Sequence, residues 1–292
     1  MSSFGVWTGQ FASLPAVQVR AAVARLEELG YRSIWYGEAF GREAIALGSL
    51  ILESSERTVA VSGIANIYVR DATAMVNGSR SLAEASGGRF VLGIGVSHGP
   101  LVKNRGHTYR RPYSDMAGYL DAMEAVRTLG PPPPGDVPVL LAALGPRMLE
   151  LSATRTAGAH PYFTPVSHTA MARGVMGPDA FLAPEQMVVL DTDARRARTV
   201  ARKAMSPYLA MPNYRRMLYA CGFTDAELDE LHDHVVDAIV AWGDVEACVS
   251  RVAAHLNAGA DHVPVQVLHD RTDVFPLEQF AELAPALQGL GG

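Results

Sequence analysis

Short apolar runs of strand length alternate with stretches of helical period almost from the first residue. Phe4 to Phe11 reads as a first strand. PAVQVRAAVARLEELG then reads as a helix opened by Pro15 and stopped at Gly30, where glycine can take the left-handed backbone that ends a helix. A second strand covers Ser33 to Phe40, with a helix over Arg42 to Ser54; a third, Thr58 to Val69, is followed by a helix from Ala72 to Ser86. The fourth, within RFVLGIGVSHGP (Arg89 to Pro100), dissolves into glycines, and LVKNRGHTYRRP after it reads as a long loop. A helix from Tyr113 to Leu129 ends in GPPPPGDVP, which cannot continue it because proline lacks the N–H a helix needs. Val139 to Leu144 is a fifth strand, followed by the helix GPRMLELSATRTAG. Ala159 to Thr164 is a sixth strand and Gln186 to Leu190 a seventh. Residues 193–242 form a helical excursion with no strand in it. The rhythm returns with a helix opened by Asp244 and stopped at Gly259, an eighth strand at His262 to Leu268, and a closing helix, PLEQFAELAPALQGL.

Eight strands alternating with helices predict a (β/α)8 TIM barrel, a single domain over residues 1–292, with a helical insertion between strands seven and eight. The rival, an open doubly wound sheet, would carry a glycine fingerprint at its first strand-helix turn, where this chain has ASLP. The chain has 292 residues, 49% hydrophobic and 19% charged, enough apolar content to bury a large core. A net charge of -5 leaves no basic footprint for nucleic acid or an anionic membrane. No apolar run reaches membrane-spanning length, the N-terminus lacks a signal-peptide pattern, and Cys221 and Cys248 have no ligand or disulfide spacing. A cytoplasmic protein with reduced thiols is the expectation.

The candidate chemistry gathers at predicted strand ends, where barrels of this class keep their sites. Gly93, Gly95 and Gly99 follow GxGxxxG, with Pro100 and a loop where a dinucleotide motif would start a helix. The glycines either let the strand end curve or let a planar ligand approach the backbone. Gly145-Pro146-Arg147 opens a helix directly after a strand, a general anion site or simply a helix start. SGIANI, Ser62 to Ile67, suggests a bulge under a ligand, although Asn66 could equally satisfy nearby backbone. His98, His107 and His160 fall at strand ends, as does Glu38, whose plain reading is a partner for an arginine such as Arg42. His232 and His234 are two apart on a helix, so no metal site is expected.

The segments LGYRSIWYGEAF, SGIANIYVRDATAM, SGGRFVLGIGVSH, LAALGPRMLELSATRTAGAHPYF, APEQMVVLDTDARRAR, PNYRRMLYACGFTD and GDVEACVSRVAAHLNAGADHVPVQVL together cover most of the chain. In order and spacing they resemble the luciferase-like monooxygenase superfamily, in its actinobacterial branch that uses coenzyme F420. The resemblance implies an oxidoreductase passing a hydride between F420 and a small organic substrate, with the ring over a non-proline cis peptide at Gly63–Ile64 and near Asn66. It implies that Gly95, Val96 and Ser97 border the ring, that Gly145, Pro146 and Arg147 hold the phosphate, and that Thr164 joins the cofactor contacts. A homodimer is also implied. Several relatives carry an acid followed by a histidine after strand two, whereas Ala39 follows Glu38 here, so their proton chemistry cannot be copied: the candidates are Glu38, His98 and His160, or no protein acid is needed. Alternatives are an FMN-dependent monooxygenase of the same superfamily and a barrel that binds a cofactor or ligand without turnover.

Overall fold

The structure, a computed structural model, describes residues 2–271 and 274–291. Its strands are β1 (Phe4–Thr8), β2 (Ser33–Tyr36), β3 (Val59–Ser62), β4 (Ala65–Asn66), β5 (Phe90–Gly95), β6 (Val139–Leu141), β7 (Gly158–Ala159), β8 (Phe181–Leu182), β9 (Gln186–Leu190), β10 (Val240–Gly243) and β11 (Val263–Val267). The helices between and after them are α1 (Ala16–Glu28), α2 (Ala44–Glu53), α3 (Ala72–Ala85), α4 (Gly99–Asn104), α5 (Pro112–Glu124), α6 (Pro146–Arg155) and α7 (Val166–Met176). They continue with α8 (Ala194–Leu209), α9 (Pro212–Ala220), α10 (Asp225–Asp229), α11 (Asp233–Ile239), α12 (Val245–Asn257) and α13 (Leu277–Gln288).

All strands pair in parallel, in the order β10-β9-β11-β1-β2-β3-β5-β6-β7-β8, with β4 beside β5. The sheet is curled. β8 ends the order beside β7, whereas β9 lies near the other end between β10 and β11, yet only Ala183 to Glu185 separate β8 from β9. Asp261 reinforces that seam, its carboxylate accepting Leu182 N–H at 2.7 Å and its own N–H donating to Leu182 O at 2.9 Å.

Parallel strands covered by helices must be apolar on both faces. The in-register row Trp7, Trp35, Val61 and Val91 fills the inside of the curl with Leu140 and Ala183. The neighbouring row Val6, Ile34, Ala60 and Phe90 packs into the larger core shared with the helices. One polar cluster survives inside because it is satisfied internally. His262 Nδ1 donates to Ser2 O at 2.5 Å, leaving Nε2 to accept from Trp35 Nε1 at 3.1 Å and to pair with Ser33 Oγ at 3.1 Å. Burial accordingly pulls the His262 pKa down to about 4.

Helix ends follow their expected chemistry. Gly30 has φ 91 just past α1, Gly259 has φ 102 just past α12, and Asp244 caps α12 by accepting Ala247 N–H at 2.9 Å.

Several boundaries differ from expectation. β1 stops at Thr8 and passes into a tight turn at Gln10–Ala12, and β2 stops at Tyr36. The third predicted strand is broken into β3 and β4 around Gly63–Ile64, whose peptide bond is cis. The predicted loop after β5 contains α4, and the sixth predicted strand keeps strand pairing only at Gly158–Ala159. The excursion predicted to lack a strand ends in one, since β10 pairs with Met187–Leu190 of β9. Val240 to Trp242 is a short continuous apolar run, which helical and strand periods share. Helices α8, α9, α10 and α11 carry their own core, including Ala201, Met205, Leu218 and Val236, packed with Met187, Val189 and Phe163.

Candidate active site

A cavity of ≈ 380 Å³ opens at the C-terminal ends of β2 and β4. Its walls are Glu38 to Gly41 after β2, Asn66 of β4, and Leu101, Asn104 and Arg105 around α4. The Arg105 guanidinium donates to Ala39 O at 2.6 Å, tying α4 to the loop after β2.

Glu38 is buried and committed on both oxygens. Oε1 accepts Ala44 N–H at 2.9 Å and the Arg70 guanidinium, while Oε2 accepts Asn66 N–H at 2.8 Å. Arg70 also pairs with Glu43, and its side chain is 8% exposed. The arginine expected opposite Glu38 was Arg42, which instead donates to Phe11 O at 2.6 Å. A carboxylate held by three donors is a scaffold: it joins the start of α2, the strand β4 and a buried cation. Asn66 is locked in consequence, because Tyr68 N–H bonds its Oδ1 at 2.9 Å. Its Nδ2 has no bonded partner among the described residues, and Asn66 lines the cavity.

The glycines of β5 serve the bulge. A Cβ on Gly93 would lie 1.9 Å from Ser62 O, and one on Gly95 would lie 2.8 Å from the Ile64 side chain. Their missing side chains make room for the chain between β3 and β4. Ser62 Oγ fastens the bulge by donating to Gly93 O at 2.8 Å and accepting Gly93 N–H at 3.0 Å. Val96 and Ser97 continue past the strand, half-buried, with Ser97 in the left-handed region at φ 56.

The histidines separate. His160 is beneath the bulge: Nδ1 donates to Ala183 O at 2.7 Å, and Nε2 is buried without a partner, 2.9 Å from where a Gly63 Cβ would be. Burial lowers its pKa to about 4, so it is a neutral imidazole sealed from the cavity, and the proton role expected of it is corrected on that ground. His98 is half-buried, its Nδ1 3.2 Å from Asn213 Oδ1 on α9 and its ring 5.3 Å from Tyr214. Burial lowers its pKa against the opposing Asn213 bond. His107 lies on the exposed loop, its ring 5.9 Å from Tyr68.

At the start of α6, Gly145 occupies the cap position with no side-chain cap, and open space surrounds the place of its absent Cβ. Arg147 is exposed, with its guanidinium 4.2 Å over the Tyr113 ring. His168 of α7 fixes the residue before this turn through Nε2 to Leu144 O at 2.8 Å. Thr164 is buried, and its hydroxyl has no partner among the described residues.

Sequence reasoning missed Arg70 and the pair Trp7 and Tyr162 beside the bulge. Trp7 Nε1 donates to Gly63 O at 3.3 Å, and its ring is 4.9 Å from Tyr162. Tyr162 Oη in turn donates to Gln266 Oε1 at 2.9 Å and lies 2.8 Å from Tyr208 Oη. The aromatic character of HPYF was the available signal.

A parallel, curled α/β sheet with a cavity at the C-terminal strand ends defines the general class of barrel-like α/β proteins. Residues 2–262 match the luciferase-like monooxygenase family, and the chain belongs to it. A putative coenzyme F420-dependent oxidoreductase of Mycobacterium tuberculosis is 22% identical, over 87% of this chain and 92% of its own. The solved structure of an F420-dependent secondary alcohol dehydrogenase with an F420-acetone adduct superposes with a TM-score of 0.77 at 14% identity, covering 98% of this chain and 99% of that one. The FMN-bound oxygenating constituent of 3,6-diketocamphane monooxygenase from Pseudomonas putida reaches 0.71 at 14% identity, covering 100% and 98%. Both structures share the fold.

Proposed function

We propose that the chain is an F420-dependent oxidoreductase acting on a small organic substrate. In this reading it is one (β/α)8 barrel domain over residues 1–292, cytoplasmic and homodimeric, with the helices of 194–239 inserted between its seventh and eighth strands. The observation that carries it is Asn66: Glu38 and Tyr68 consume its backbone N–H and side-chain oxygen, so the cavity is offered a fixed amide donor, suited to the carbonyl edge of a planar heterocycle.

The deazaflavin, when bound, would supply two-electron hydride chemistry at carbon. The chain's part is orientation and exclusion of water. Gly63, Ile64 and Asn66 form the surface under the ring, and Gly95, Val96 and Ser97 border it. The uncapped start of α6 at Gly145, Pro146 and Arg147 holds the phosphate by free N–H groups and one guanidinium, with Thr164 beside it. Glu38, bonded on both oxygens, positions Asn66 in this scheme. His98, neutral at the lip of the mouth, is the proton carrier in this scheme. The F420-dependent names of the relative and of the alcohol dehydrogenase support the choice of cofactor.

FMN is the second reading, because an FMN-bound neighbour has the same fold and the α6 start suits either phosphate. Titration of the purified protein with each cofactor separates them: oxidised flavin absorbs near ~450 nm and oxidised deazaflavin near ~420 nm. Tight binding of F420 with slower exchange in His98→Ala is the expected result. Binding of neither cofactor overturns both readings, and tight F420 binding without hydride exchange to any substrate leaves a binding protein.

A further inference from the structure

Glu185 lies at the seam between β8 and β9, and nothing in the scheme above uses it. Its side chain is fully buried, Oε1 has no hydrogen-bond partner, and Oε2 accepts the Phe163 N–H at 3.3 Å. No cation bonds it among the described residues. Phe163 is a left-handed residue, φ 62, a backbone state that a bulky side chain adopts only where its surroundings impose it. Its ring is 5.1 Å from Tyr208 of α8 and 5.3 Å from Tyr214 of α9, while the adjacent Tyr162 contacts both Tyr208 and Trp7. The three residues Tyr162 to Thr164 therefore form the lip through which the inserted helices rest on the mouth of the sheet. Glu185 supports the middle of that lip from below.

We propose that Glu185 is a positioning residue: as an un-ionised acid it holds the Tyr162–Thr164 lip and the inserted helices above it, and its ionisation loosens both. A carboxylic acid can leave one oxygen unbonded in an apolar box at modest cost; a carboxylate without a cation cannot. The ionisable groups facing it are Tyr162 after β7, Tyr208 on α8 and Tyr214 on α9, all uncharged and all held to higher pKa by burial, with the Glu185 charge an additional cause. Gln186 and Gln266, from β9 and β11, add only neutral amides, each already bonded. Burial moves the Glu185 pKa up to about 8, which puts the transition within reach of ordinary buffers.

The significance for catalysis rests on the mouth being the cofactor site, so the test separates the two claims. Amide hydrogen exchange of the 162–164 segment is followed in ligand-free wild type and Glu185→Gln, corrected for base-catalysed exchange, from about pH 6 to about pH 10. Wild type should lose protection by up to about tenfold per pH unit as pH rises towards about 8 and level off beyond it, and Glu185→Gln should keep it throughout. The proposal is overturned if the variant follows wild type, or if wild type shows no excess loss; the latter decides even if the variant fails to fold. A parallel F420 titration should weaken over the same range in wild type only. Absence of F420 binding at every pH, with the exchange transition intact, would count against the cofactor reading and leave the role of Glu185 standing.

Discussion

Glu38 reaches Asn66 across 2.8 Å, carboxylate to backbone N–H, and through that bond the loop after β2 sets the position of the strand fragment that lines the cavity. The same carboxylate neutralises Arg70. Removing it as Glu38→Ala leaves a buried guanidinium with only Glu43 and two N–H groups without acceptors. We expect a loss of about 3–5 kcal/mol in urea unfolding, together with loss of cofactor binding. A variant as stable as wild type would show that Glu43 alone suffices.

Gly95 and Ile64 compete for one volume. Gly95→Ala brings a methyl to 2.8 Å from the Ile64 side chain and should destabilise by about 1–3 kcal/mol. Shortening the neighbour, as in Ile64→Ala, should make the second substitution cheaper than it is alone. A double-mutant cycle by chemical denaturation measures this coupling, and strict additivity would refute the contact as the cause.

Stability should fall on both sides of neutrality. His160 and His262 titrate at about 4 and His255 at about 3 when folded, because burial disfavours their charged forms. The unfolded chain takes up protons near pH ~6.5 that the folded chain refuses, so stability drops as pH falls from there towards about 4. Glu27 adds to this. Burial opposes its charge but is outweighed by N–H bonds from residues 56–58 and the Thr58 hydroxyl, leaving a pKa of about 2, so its contribution is present above pH ~4.5 and lost below. Glu185 acts in the opposite sense: its raised pKa gives a contribution complete below pH ~4.5 and lost as pH rises through about 8. Thermal midpoints measured across pH should trace a dome, and a flat acid limb would contradict the neutral histidines.

Arg147 is exposed and stacks on Tyr113, so Arg147→Ala should barely change the unfolding midpoint. Its removal should weaken a phosphorylated cofactor by about tenfold, the worth of one charge-assisted hydrogen bond. Equilibrium titration checks this, and unchanged affinity would move the phosphate away from α6.

What could be read from the chain was local. Gly30, Asp244 and Gly259 announce helix ends by their own backbone and side-chain preferences, and Ser62-Gly63 followed by Asn66 inside an aliphatic run marks the break between β3 and β4. What could not be read depends on approach from afar. Arg42 is close to Glu38 in sequence, yet Arg70, 32 residues on, is the arginine that reaches it in the fold. The bareness of Gly93 and Gly95 looks alike whether a ligand or Ser62 O and Ile64 takes the space. Glu185 sits in an unremarkable run, APEQMVV, and only the folded lip shows that no cation among the described residues bonds it.

The stretch from Phe181 to Leu190 pairs with β7 at its start and β11 at its end. It bonds both flanks of the curl, which makes it a shared hem. A cut or insertion at Ala183 to Glu185 would expose two strands with unpaired N–H and C=O groups at once, and such edges recruit other chains. Proteolytic nicking there should produce aggregation, whereas the proline run between α5 and β6 can be cut without opening any strand.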